Sequence, residues 1–187
     1  PTNQREGRVF VDWYDPDLGG DYGFVRFGGR VAATTPLLTP RTIGAIELLV
    51  GFEEATNDRG VPVQAQYSLG GRRALRGVSV NEKLARNIGL ARFELRQDVF
   101  PEVDWNLLDL LVYRRPQLQL FVDTGQVDDS AGRALNPEHF AIAAGTGINV
   151  LYDFLGFFPG RAYIELATRL DRDQTSFQVL FGTRQAF

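Results

Sequence analysis

Four groups of residues could carry chemistry in this chain. His139 is the single histidine, close behind Pro137 where an alternating apolar run begins. A hydrolytic triad around it would need a serine on a strand-to-helix elbow, and no G-x-S-x-G stretch exists. No catalytic residue is therefore assigned. "DTGQVDDSAG", from Asp123, gathers carboxylates without calcium-loop spacing, and a polar surface loop accounts for it. Cysteine is absent, which removes thiolate metal sites, disulfides and cysteine nucleophiles together. No metal or cofactor is expected. "GGDYGFVRFGG" lacks the strand-loop-helix setting of a phosphate cradle, so its glycines are read as easing strand curvature and close packing. The fourth group is "SLGGRRALRGVSVN", from Ser68 to Asn81, with Arg72, Arg73 and Arg76. A connection this basic is either a solvated loop or a segment whose arginines meet carboxylates elsewhere in the fold.

The elements that must position these residues are strands. Period-two alternation gives nine candidate runs: 8–14, 22–35, 43–53, 61–69, 88–96, 117–125, 140–152, 162–170 and 176–187. Within them Phe93, Leu120, Ile148, Leu166 and Phe181 share the apolar parity, while Glu94, Asp123 and Glu165 share the polar one. The run 8–14 is the weakest because it is short; without it eight strands remain. "VDWNLLDLLVYRR", 103–115, breaks the rhythm and fits either a short amphipathic helix across a turn or a strand extension with a bulge. Tyr152, Phe154, Phe157 and Phe158 form an aromatic-rich band of the kind that marks a membrane interface.

Composition sets the outer limits. The 187 residues suit one domain, and a formal charge of -3 argues against nucleic acid as a partner. No window approaches the roughly 18 apolar residues of a membrane helix. A membrane-spanning barrel, however, alternates lipid-facing and lumen-facing residues, so a mean hydropathy of -0.16 suits it as well as a soluble sheet. Runs of nine residues and more exceed the usual globular strand and match tilted membrane strands of about 9–11 residues. The expected fold is all-β: an antiparallel transmembrane β-barrel of eight or nine strands over residues 1–187. An odd number of antiparallel runs cannot close, so the alternative is the C-terminal part of a barrel of about 16 strands. The chain opens at Pro1 without methionine, and processing or excision from something longer is expected.

The order of motifs adds a family resemblance. "LGGRRALRGV", "LARFELR", "LFVDTGQV", "AAGTGINV" and a chain end in "FGTRQAF" resemble the C-terminal half of the BamA/TamA superfamily of outer-membrane barrels, the bacterial surface antigens. The similarity covers about Leu69 to Phe187. In that family a long loop bearing an (L/V)RG(F/Y) motif folds back into the barrel and five strands follow it. The resemblance implies an inward-folded loop at 69–87, anchored by Arg76 and Gly77, with Glu94 and Asp123 as acidic partners inside the barrel. Val78 stands where the motif usually carries an aromatic ring. Phe187, with Phe181 and Gly182 upstream, resembles the terminal signal read by the barrel-assembly machinery.

The implied function is insertion or translocation of proteins at the bacterial outer membrane, or an organelle outer envelope. The alternatives are the anchor or secretion pore of a fused N-terminal domain, such as a patatin-like phospholipase, and a stand-alone structural barrel. The implied partners are outer-membrane lipid, the assembly machinery and substrate proteins, with a second chain or N-terminal strands completing the barrel. Deleting Phe187 is expected to reduce outer-membrane insertion in cells while leaving the refolded sheet intact. Comparing membrane-inserted yields of the full and truncated chains checks this, and equal yields would remove the signal.

Overall fold

A computed structural model describes residues 3–100, 104–107, 111–155, 158–171 and 176–185. The protein is all-β, with one nine-stranded antiparallel sheet. Eight long strands form an up-and-down meander: β1 (Gln4–Tyr14), β2 (Phe24–Pro36), β3 (Thr42–Ala55), β6 (Asn87–Asp98), β8 (Leu111–Asp128), β9 (Ala141–Phe154), β10 (Phe158–Arg169) and β11 (Phe177–Gln185). Two-residue strands β4 (Tyr67–Ser68) and β5 (Leu84–Ala85) pair apart from the sheet, and β7 (Asp104–Leu107) pairs only with β8. The sheet order is β1-β2-β3-β6-β8-β9-β10-β11. β1 and β11 are its two edges and do not pair with each other, so the expected closure is not made within this sheet. Among the described residues no helix is long and apolar enough to cross a membrane.

One expectation about an individual element needs correction, and two others are decided by the structure. Residues 61–69 form no strand of the sheet. Pro62 and the turn at Val63–Gln66 hold this run in the connection between β3 and β6, and only Tyr67–Ser68 pair, with Leu84–Ala85. The alternation of Val63, Ala65 and Tyr67 with Gln64, Gln66 and Ser68 is not matched by burial: Val63 is exposed, and only Val61 and Leu69 at the two ends are buried. The run 8–14 is instead a full strand, registered with β2 from Gln4↔Thr34 to Tyr14↔Phe24. Its polar start hid its length. The segment 103–115 contains no helix among its described residues: β7 pairs with Leu111–Arg114 of β8, and the ladder shifts between Arg114 and Gln117 where Arg115 takes a positive φ of 45°. It is therefore a strand extension with a bulge, the form in which an extra residue raises local twist.

The two faces of the sheet are inverted relative to a soluble protein. One face exposes large apolar side chains on every long strand, including Trp13, Phe27, Leu48, Phe93, Leu120, Ile148, Leu166 and Phe181. The opposite face buries Glu53, Gln119, Asp123, Asn149 and Glu165. Residues 56–86 fold against this polar face and cover it. Leu69, Leu75 and Val78 of that segment pack on Ile88, Leu90, Val127, Ala141 and Ala143 from β6, β8 and β9. The core is thus a loop set into the concave side of one curved sheet.

Curvature follows from the contacts. Across a flat sheet β6 and β11 would lie about 19 Å apart at about 4.8 Å per strand, yet Arg76 meets Glu94 of β6 while Gly77 meets Gln178 of β11. The sheet curls around the loop, and residues of β2 and β10 line one cleft beneath it. Small residues on the inner face of β9 make room for this. A Cβ on Gly145 would stand 2.3 Å from the Leu166 carbonyl oxygen and 2.4 Å from the Phe121 ring. Phe121 can lie across β9 only because that side chain is missing.

Gly145→Val is expected to push Phe121 away from β9 at a cost of about 1–3 kcal/mol, and Gly7→Ala, with open space around its Cβ, to be neutral. Urea unfolding in detergent, together with tryptic cleavage at Arg72 and Arg73 as a reporter of loop release, checks both.

Candidate functional site: the arginine anchor of the inner loop

The anchor is assembled from one loop and three strands. Alternation sends Glu94 (β6), Asp123 (β8) and Glu165 (β10) to the same face, which is why three carboxylates converge beneath the loop. Arg76 enters from the loop and is fully buried. Its Nε and Nη2 donate to Asp123 Oδ2 and Oδ1 at 2.6 and 2.7 Å, a two-pronged fork, and its backbone N–H adds a third bond to Oδ2 at 3.2 Å. The remaining Nη1 lies 2.9 Å from Glu94 Oε1 and 3.5 Å from Glu165 Oε1. Phe121 supplies the floor: the guanidinium carbon sits 3.6 Å above its ring centroid. A planar cation on an aromatic face with carboxylates at its edge is a geometry that arginine can satisfy and lysine cannot.

Gly77 follows with φ of 86°. That backbone conformation favours glycine, and a Cβ would come 3.1 Å from the Thr168 carbonyl carbon. The turn lets its N–H donate to Gln178 Oε1 on β11 at 3.1 Å. Val78 is fully buried in the apolar cluster at the loop's entrance. An aliphatic side chain therefore fills the position after Gly77.

The other sequence-derived positions lie apart from this cluster. Phe181 is on the apolar face of β11 and 78% exposed, while Gly182 faces the Tyr163 hydroxyl. Phe187 and Phe157 lie outside the described residues. Phe154 and Phe158 are exposed and Tyr152 is half-buried. Asp128 and Asp129, read as polar loop residues, pair with Lys83, Arg86 and Arg133 near the start of the connection to β9.

Several members of the network were given no partner or role from sequence. Arg72 donates to both oxygens of Glu165 at 3.2 and 3.1 Å and stacks 3.7 Å over Tyr163. Arg92 reaches Asp123 and Glu47, and Arg96 forks onto Glu94. Arg26 pairs with buried Glu53 and donates to the Ala65 carbonyl, tying the start of the loop to β2. Burial pushes the Tyr67 phenol up to about 12 where it lies over Gly51. At the far hairpin, Arg169 forks onto Asp171 and holds that carboxyl below the usual carboxylate range while also reaching Glu82. Glu165 had the same parity signal as Glu94 and Asp123. What pairs with it depends on the path of the loop.

No family model and no curated protein matches this chain. Its site is therefore described by geometry alone.

Removing one partner of a buried pair leaves an uncompensated charge, at a typical cost of about 3–5 kcal/mol. Arg76→Ala should cost that much and release the loop. Arg76→Lys should recover only part of it, because an ammonium cannot fork onto Asp123 while facing Glu94. Urea midpoints and protease accessibility at Arg72 and Arg73 measure both, and wild-type behaviour of the alanine variant would contradict the anchor.

Proposed function

We propose that this chain forms the wall of an outer-membrane β-barrel of the BamA/TamA kind, carrying an arginine-anchored inward loop, and acts in inserting or translocating proteins at that membrane. The observation that supports the reading best is the inverted sheet: large apolar side chains exposed on all eight long strands, with charges buried beneath the loop. Soluble monomers rarely expose contiguous apolar surface beyond a few hundred Å². Hydrocarbon is the solvent in which such a face is stable, and full hydrogen bonding between strands is what a bilayer demands of the backbone.

Connection lengths favour the same reading. Residues 15–23, 56–86, 129–140 and 170–176 join strands at one end; at the other, 37–41 and 155–157 are short, and 99–110 carries β7, which pairs back onto β8. Outer-membrane barrels have this asymmetry, with longer loops outside and short turns at the periplasm.

Loop volume bears on barrel size. A closed barrel of about eight strands has an interior just wide enough for side chains, and here the interior face holds the segment 56–86 as well. A larger circumference is required. Further strands paired to the free edges of β1 and β11, from a longer chain or a second one, would supply it.

Leu120→Arg, at an exposed position near the middle of β8, should cost about 2–4 kcal/mol in a membrane and lower the outer-membrane fraction on cell fractionation. A chain that stays monodisperse in water without detergent would overturn the membrane reading. Reconstituted vesicles separate the activities: acceleration of an unfolded barrel substrate's insertion supports insertase function. Export of a domain fused before Pro1 without such acceleration would assign an anchor or secretion pore instead.

A further inference from the structure

The loop anchor leaves one chemically distinct feature unused. A cleft of about 410 Å³ lies beneath the loop, between Arg72 and Arg73 and the inner faces of β2, β3, β6, β8 and β10. Six arginines line it, Arg30, Arg72, Arg73, Arg92, Arg96 and Arg161, against two glutamates, a formal excess of four positive charges. Counting Arg76, Asp123 and Glu165 beside it, and Glu6 paired to Arg30, still leaves an excess of two among these residues. The whole chain carries -3. The positive field is thus a local segregation and not general basicity.

A second observation points to a ligand. Gln119 forms part of the cleft wall and is 2% exposed. Its carbonyl oxygen accepts from Asn149 Nδ2, which leaves its Nε2 donor without an acceptor among the described residues; Arg92 Nε makes no hydrogen bond but lies 3.5 Å from Asp123 Oδ1. Buried donors are nearly always satisfied, by protein, water or ligand. Arg73 is exposed and has no hydrogen-bond or ion-pair partner among the described residues.

We propose that this cleft is a binding site for a phosphate-bearing anion. Phosphate oxygens are acceptors, which is what Gln119 Nε2 lacks. Guanidinium forks match them two bonds at a time. Arginines from β2, β6, β10 and the loop line the cleft from different sides. A tetrahedral anion offers oxygens in all those directions, whereas one planar carboxylate engages a single fork. The almost wholly polar lining excludes an apolar ligand. This inference rests on the cleft alone, so it and the membrane reading fail separately.

The test is calorimetric titration of the full chain, folded in detergent micelles, with sodium pyrophosphate at low salt. Saturable one-to-one binding that weakens with added salt is expected. Arg73→Gln and Arg161→Gln should each weaken it severalfold, and the double variant by at least roughly tenfold. Arg41→Gln, on the exposed turn between β2 and β3, should leave it unchanged. Arg73 takes no part in the loop anchor, so that variant remains folded, as circular dichroism and continued tryptic protection at Arg72 verify. A short-chain phosphatidic acid competing about tenfold better than pyrophosphate would identify a lipid headgroup as the source; weaker competition would identify a free phosphate compound. Absence of saturable binding, equal response to chloride at matched ionic strength, or binding indifferent to both arginine variants would overturn the proposal.

Discussion

The fork of Arg76 on Asp123 is the interaction on which the rest of this structure depends. Asp123, Glu94 and Glu165 sit on one face of a curled sheet and would repel one another there. A cation among them offsets that repulsion. Arg76 fills that position from a segment far away in sequence, so the electrostatic demand of the sheet and the path of the loop are one problem. Buried ion pairs are weak sources of net stability, because desolvation consumes most of the attraction. Their strength lies in geometry: a planar fork stacked on Phe121 fixes where the loop sits to within a hydrogen bond.

Around that contact the molecule is layered. An apolar cluster, built from Leu69, Leu75 and Val78 with Ile88, Leu90 and Val127, occupies the loop's entrance. The arginine and carboxylate layer lies deeper, and the arginine-rich cleft lies beyond it. Low dielectric around the ion pairs strengthens each of them and penalises each unmatched group. Arginines outnumber the carboxylates that line the cleft, and most of them are held by carboxylates within or beside it.

The glycine and alanine stretch of β9 has a structural logic of the same kind. Ala141, Ala143, Gly145 and Gly147 leave a shallow floor on which Phe121 and Glu165 can lie. Without Phe121 in that place the Arg76 guanidinium would lose its stacking surface. Small residues on one strand thus position a cation on a loop, through a ring on the neighbouring strand.

Period-two alternation, a local property, carried much of the fold. It located seven of the eight long strands well and put Phe93, Leu120, Ile148, Leu166 and Phe181 on one face with Glu94, Asp123 and Glu165 on the other, because a strand's side chains must alternate whatever it packs against. The same rule misread 61–69, where an alternating stretch is turned into a loop at Pro62–Gln66, and it undervalued β1, whose pairing with β2 owes little to its own polar start. Tertiary structure alone decided the rest. The route of residues 56–86 determined that Arg72 takes Glu165 while Arg76 takes Asp123, and that Arg26 binds the Ala65 carbonyl. Ion-pair choice depends on three-dimensional distance, which side-chain type and spacing along a chain do not encode. Composition and alternation determined that the sheet has a charged face and an apolar one; only the curl around the loop decided which face is inside.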